Sequence, residues 1–445
     1  MAEKLVRRYG LFTTICLVVG TVIGSGIFFR NDDIFAAVGG NMVMGVAAWL
    51  TGGFITLSIA YVFAILATRY EDTSGLGDLA QILVSSKFGY LFSWFQATIF
   101  FPSSVGVLAW ISGRFTVVLF GFNVDENFSA HTYLFALLYL VAIYAMNALS
   151  PKLSEKFHIT CTFIKVIPLI AMGIIGLIVG LLNGTTVANL QTSYVPSVQN
   201  QPFLTAVIAT VFAYTSWETP LNLSKEVINV KKNLPIALIS GLLLIIFVYV
   251  LYFVGLFGAA PVEQLASGSG VLLAFQNLFT EVGGTVLFVF IIISCLGTLN
   301  GLTLVNGRLF YALASNKNGP KQQLLSQVDK ISQVPNNSMV VGLLLTAVWM
   351  LIFGGHLYGL YYFDISGLAP ISFKGFLIPI MLMVMIKETS LNKINRFLAP
   401  LIAILGACFL IYAVIISHGI SVLWFLILFI VIMIVGLGME KSKTN

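Results

Sequence analysis

The residues with most chemical potential here are two interruptions in apolar runs, where the main chain rather than a catalytic side chain is the reactive feature. In GTVIGSGIFF, residues 20–29, the centre Gly24-Ser25-Gly26 puts poor helix formers inside a segment long enough to cross a membrane. A second run, TAVIATVFAYTSWETPLNLSKEV, has Thr215-Ser216 at mid-span, then Glu218 and Pro220. Proline removes an amide donor and clashes with the preceding turn. Irregular backbone at membrane depth is tolerated where it lines an enclosed or wet cavity. An unwound segment leaves N–H groups at the start of one half-helix, which attract an anion, and C=O groups at the end of the other, which attract a cation. An amino acid zwitterion carries both charges close together. Glycine lets the backbone approach such a ligand, and the Ser25 hydroxyl offers a further contact. The plainer reading, two simple kinks in membrane helices, fits the same residues.

Among side chains, Lys165 in CTFIKVIPL is the most informative charge. A lysine inside a membrane segment is costly unless it faces an interior cavity. Its place near the start of its predicted span leaves snorkelling to an interface as the competing reading. Glu218 has three readings: bonding to backbone, carrying a proton, or contacting a substrate amine. Asp364 and Lys374, in YYFDISGLAPISFKGF, stand ~15 Å apart on a helix and so should not pair directly; neither they nor Arg30 and Arg114 receive a role. Cys16, Cys161, Cys295 and Cys408 lack metal spacing and read as packing residues. His131, His158, His356 and His418 fall at span ends and read as interface histidines. No metal site or cofactor is expected, and no nucleophile–base pair or phosphate-binding loop is present to suggest an enzyme.

These features must be positioned by membrane helices. Of 445 residues, 58% are hydrophobic and only 9% charged, against about 25% charged in soluble domains; the chain cannot cover a water-facing surface of its size. Twelve apolar spans are predicted, at 11–37, 42–68, 88–120, 131–148, 158–182, 202–224, 235–258, 282–314, 338–354, 357–386, 397–417 and 419–438. The charged start, Lys4, Arg7 and Arg8, runs into a full-length span with no small-residue cleavage site, so a retained first helix is expected. With the N-terminus in the cytoplasm, 19 of the 23 basic residues fall on inner segments, among them Lys152, Lys225, Arg308, Lys387, Lys441 and Lys443, and none falls in an outer loop. The pattern predicts both termini inside, and it accounts for the net charge of +6 without a nucleic-acid partner. The semi-apolar stretch 261–279 reads as a lid-like helical hairpin or an ordinary outer loop.

GTVIGSGIFF, followed by FAYTSWETPLNLSKEVINVKKNLP and by SCLGTLNGLTLVNGRLFYALASNKNGP in the eighth span, resembles the amino acid–polyamine–organocation (APC) superfamily, most closely the bacterial relatives of L-type amino acid exchangers. The resemblance implies an all-α membrane fold of twelve helices, with helices 1–5 at 11–182 and 6–10 at 202–386 as inverted repeats of the LeuT type. Helices 1 and 6 are broken, helices 11–12 at 397–438 are peripheral, and residues 1–445 form a single transporter domain. It implies that amides of Ser25, Gly26 and Ile27, beside Gly24, bind the substrate carboxylate. Carbonyls around Ile23, with Phe212, Ala213 and Thr215, would take the ammonium. Tyr214 or Trp217 would close as an aromatic gate, packing being the alternative for each. Lys165 would lie against the unwound helix 1, where sodium-coupled relatives hold their ion. The chain departs from many L-type exchangers in having Thr215-Ser216-Trp217 followed by Glu218, and in having Arg30–Asp33 where a proline is common.

The expected function is sodium-independent secondary transport of amino acids across the cell membrane by alternating access, as an exchanger. The alternatives are a proton-coupled amino acid symporter, with Lys165 or Glu218 as coupling group, and a polyamine or cationic amino acid antiporter. The expected partners are an amino acid substrate and the lipid bilayer; a partner subunit is not readable.

Overall fold

The computed structural model describes residues 6–71, 73–122, 130–191 and 201–440; Lys4, Lys441 and Lys443 of the charge pattern lie outside them. Among the described residues all regular structure is helical apart from one isolated bridge, between Tyr9 and Val227. Among the described residues, ten helices are long and apolar enough to cross a membrane, and a bent pair at the N-terminus makes an eleventh if counted as one span.

That pair is α1 (Leu11–Val22) and α2 (Gly26–Val38), bent by 44°. Then come α3 (Met42–Arg69), α4 (Ser86–Leu119), α5 (Ala130–Leu149) and α6 (Pro151–Leu182). Next, α7 (Pro202–Ala213) is apolar but only 12 residues long. The remainder are α8 (Val230–Ala259), α9 (Val282–Ser315), α10 (Asn336–Leu357), α11 (Ile365–Lys387), α12 (Ile394–His418) and α13 (Ser421–Glu440).

Local chemistry fixes several ends. Asn41 caps α3 by accepting from the Met44 amide at 3.0 Å, and Ser85 does the same for Phe88 at 3.2 Å ahead of α4. Asp364 caps α11 through the Ser366 amide at 2.8 Å, so residues 358–364 form a turn rather than the first part of the predicted 357–386 span. The signal passed over was Gly359, which takes φ +72° just beyond α10. The predicted 158–182 helix begins at Pro151 instead, because a proline suits the first helical turn, where no amide bond is lost. Lys165 is therefore the fifteenth residue of α6, well inside it.

The largest departure is the predicted 202–224 span. Its helix stops at Ala213, and Ser216 has φ +75°. A four-residue turn, Thr219–Asn222, and a short 3-10 turn, Ser224–Glu226, follow before α8. Core helices pack around the two breaks: α8 lies on α3, α6 and α1, while α9 lies on α4 and α6. The last helix, α13, is largely uncovered, with Leu423 and Trp424 exposed, as suits a face in contact with lipid.

Candidate functional site

The first break comprises residues 23–25. Ile23 has an extended backbone, with φ −73° and ψ 98°, so α1 ends and its last carbonyls turn away from a helical partner. Gly26 opens α2. A Cβ there would come within 2.9 Å of the Ala213 Cα, so glycine is what lets α2 and α7 cross this closely. The first amides of α2 have no acceptor within their own helix. Ser25 is buried, and its hydroxyl has no hydrogen-bond partner among the described residues.

The freed carbonyls of α1 meet a cation. Lys165 Nζ donates to the carbonyls of Gly20 at 2.5 Å, Ile23 at 2.6 Å and Ser294 at 3.2 Å, and to Thr298 Oγ1 at 3.1 Å. Thr298 also donates to Ile23 O at 2.9 Å, and Ser294 Oγ to Gly24 O at 3.1 Å. The ammonium is 1% exposed, which removes the snorkelling reading. Three carbonyl oxygens and a hydroxyl around one positive charge form a cation cage whose occupant is covalently part of the protein.

At the second break, Thr215 donates through its amide (3.2 Å) and its hydroxyl (2.7 Å) to the Phe212 carbonyl. The Ala213 carbonyl accepts from Tyr249 at 3.0 Å. Thr21 of α1 donates to the Ser216 carbonyl at 3.1 Å, tying the two breaks together. Between them lies a cavity of about 30 Å³, lined by Gly24, Ser25, Gly26, Phe212, Thr215 and Ser216, with Ser104, Thr298 and Pro370 among its other walls. That is room for one or two waters. A vestibule of about 640 Å³ lies beyond it, lined by Arg30, Asp33, Asp364, His418 and again Phe212 and Pro370. The Phe212 ring, with the Arg30 guanidinium 5.1 Å from its centroid, is thus shared by both spaces.

The structure brings together most of the residues expected at the breaks, and separates some. Tyr214 and Trp217 do not line the cavity. Tyr214 is buried on Trp49 and Tyr249 with its hydroxyl on Trp49 O at 3.1 Å, and Trp217 packs on Phe63. Ile27 is buried one residue beyond the cavity wall. The Ile23 carbonyl is occupied by Lys165 rather than open to the cavity. His158 is a correction: it is buried, not interfacial, with Nε2 3.0 Å from the Cys16 carbonyl, because α6 starts earlier than its predicted span. Cys408 is exposed on the outer helix α12 rather than packed inside. Sequence reasoning missed Ser294 and Thr298; two hydroxyls four residues apart in an apolar helix was the available signal. It also missed the Phe212 side chain and Tyr249, for which no local signal exists.

The far end of the second break is closed by charge. Glu226, 1% exposed, accepts from Arg308 through Nε and, at 3.2 Å, Nη2, and pairs with Arg8 Nε at 3.3 Å. Arg8 and Tyr9 amides donate to Glu226 O at 2.7 and 2.9 Å, and Ile228 N to Tyr9 O at 2.8 Å. Among the described residues, no group of three or more His, Cys, Asp or Glu could hold a metal.

A family model described as amino acid permease matches residues 9–437. The serine/threonine exchanger SteT of Bacillus subtilis is 29% identical over 348 residues, 78% of this chain and 77% of that protein. The b(0,+)-type amino acid transporter 1 of Mus musculus is 26% identical over 76% of this chain and 68% of its own length. The cystine/glutamate transporter of Homo sapiens is 23% identical over 80% and 69%.

Proposed function

The chain belongs to the amino acid permease family of the APC superfamily, among the relatives of the L-type exchangers, and from that premise we propose that it is a sodium-independent amino acid exchanger working by alternating access in the cell membrane. The observation that carries this reading is the Lys165 cage. A fixed ammonium satisfies the carbonyls that the first break exposes, so no dissolved cation is needed there. The substrate carboxylate binds the amides of Ser25, Gly26 and Ile27. Its ammonium binds second lone pairs of carbonyls at the other break, Phe212, Ala213 and Thr215, with Glu218 beyond them. The cavity is too small for an amino acid in this conformation, so entry requires Phe212 to swing from under Arg30. Serine and threonine are the first substrates to test, given the hydroxyl-lined walls at Ser104, Thr215, Ser216 and Thr298 and the likeness to SteT.

The architecture we propose is twelve spans in two inverted repeats within one domain, with 202–224 crossing through its break as 11–37 does, α12 and α13 peripheral, and both termini cytoplasmic. Paired packing supports the repeat. The helix α1 lies on α8 as α7 lies on α3, and on α6 as α7 lies on α11; α4 lies on α10 as α9 lies on α5. The segment 261–279 is the lid: it packs on α2 and is tied to it by the Val271 amide on Asp32 at 2.8 Å.

The test is labelled uptake into liposomes loaded with unlabelled amino acids, with and without sodium or a pH gradient. Stimulation by internal substrate alone is expected. Sodium dependence would remove the cage argument, and uptake driven only by the pH gradient would make the protein a symporter. Lys165→Ala is expected to abolish exchange, or to uncouple it, in protein that still elutes as a single species; full exchange in that variant would take Lys165 out of the mechanism.

A further inference from the structure

Glu218 and Lys374 are two buried charges that the foregoing leaves without a paired role. Ser366 and Pro370 of α11 face the cavity, and Lys374 stands one helical turn beyond Pro370, on the same side of the helix. Thr215 and Ser216 face the cavity from the second break, and Glu218 follows two residues later. Glu218 is 1% exposed and Lys374 5%. Glu218 opens the Thr219–Asn222 turn without capping it, and its Oε1 has no hydrogen-bond partner among the described residues. The Glu218 carboxyl accepts from the backbone at Ser216 and at its own residue, and Lys374 is a basic side chain near enough to act on it without a direct ion pair between them.

Other charges on neighbouring elements are engaged elsewhere, Asp78 among them with the Ser74 amide and Asn316. Lys165 is held by the carbonyls of α1, and Arg8 and Arg308 by Glu226. Arg69 is held by Glu388, Arg396 by the Met385 and Ile386 carbonyls, Arg30 by Asp33, and Asp364 by Ser366. His418 lies up in the vestibule with Nδ1 at the Val414 carbonyl.

We propose that Lys374 sets the charge of the substrate cavity: by balancing Glu218 across the cavity's inner end, it makes the cavity neutral, and so selects zwitterions of zero net charge over cationic amino acids and spares the carrier a proton. The physical reason is the cost of an uncompensated buried ion, which is relieved only by a proton or by a counter-ion. In wild type the lysine is that counter-ion. Without it, Glu218 recruits either a proton, giving acid-dependent transport, or the side chain of a cationic substrate.

This inference rests on the transport reading, and the experiment separates the two. Reconstituted wild type, Lys374→Met, Lys374→Arg and Glu218→Gln/Lys374→Met are compared for exchange of labelled serine, alanine, leucine and arginine from pH 5.5 to 8. Wild type and Lys374→Arg should exchange a neutral amino acid with little pH dependence and exclude arginine. Lys374→Met should lose about tenfold of its neutral exchange at pH 7.5, the effect of one pK unit, regain it at pH 5.5, and admit arginine. The double variant, with neither charge, should return to pH-independent neutral exchange. That arm decides the matter even if Lys374→Met alone aggregates, since failure of the double variant to restore folded, active carrier overturns the proposal. So does a Lys374→Met variant with the wild-type pH profile and substrate range. Wild type that exchanges no amino acid at all sinks the transport reading instead.

Discussion

Phe212 stands between a vestibule open to solvent and a cavity barely large enough for water, lining both. It is the last side chain but one of α7, placed there because the helix ends at the following residue. Neighbouring Tyr214 and Trp217 are equally aromatic, but their side chains leave the chain at other angles and are spent on packing against Trp49 and Phe63. Phe212 is only half-buried, so Phe212→Ala costs well under the roughly 1.5–3 kcal/mol of a fully buried side chain while joining the two spaces. The expected result is a KM for exchange raised by at least about tenfold in a protein of normal stability. A KM equal to wild type would show that the ring does not close over substrate. An aromatic residue at this point was legible in the sequence; which of three aromatics faces the cavity was not, because the break itself sets their directions.

At the scale of elements, irregular helix is repeatedly made good by a specific neighbour. Pro102 lacks the amide that would bond the carbonyl of Thr98, and α4 answers with a π-helical turn at Gln96–Phe100. The orphaned carbonyl is taken by Trp349 Nε1 of α10 at 2.7 Å. Trp349→Phe keeps the aromatic bulk and deletes the donor, so it should cost ~1–3 kcal/mol, measured as a lowered thermal midpoint in detergent; an unchanged midpoint would mean that water replaces the indole. The same logic governs the first break, where Lys165, Ser294 and Thr298 from two helices supply what α1 lost. The sequence carries the cause, Pro102 or Gly24-Ser25-Gly26. It does not carry the remedy, which comes from residues more than a hundred positions away.

Across the whole molecule, an open vestibule at one end faces a closed charge cluster at the other. Arg8, Tyr9, Glu226 and Arg308 bind the start of the chain to the end of the second break and to α9. A transporter that alternates must open this end when the vestibule shuts, so the cluster has to be strong enough to hold and local enough to release. Glu226→Gln leaves two guanidinium groups without their carboxylate in a buried site, at a cost of ~3–5 kcal/mol. The expected outcome is a lower melting temperature together with faster efflux of preloaded labelled amino acid when no substrate is supplied outside. A variant as stable and as tight as wild type would show that this cluster does not close the end opposite the vestibule.

The sequence by itself determined that this is an all-helical membrane protein, where its main-chain breaks fall, that Lys165 is an intramembrane charge that should face the interior, and which superfamily it resembles. Each of these depends on composition, local helix propensity or a contiguous motif, all of which act over a few turns of chain. Helix starts set by a single cap or proline were misjudged, and the early start of α6 moved His158 from an interface to the interior and put Lys165 well inside its helix. Only the tertiary structure decided which carbonyls hold Lys165 and which aromatic ring stands between the two cavities. Those outcomes follow from helix rotation and crossing, and burial turns a small change in either into the difference between a satisfied charge and an impossible one.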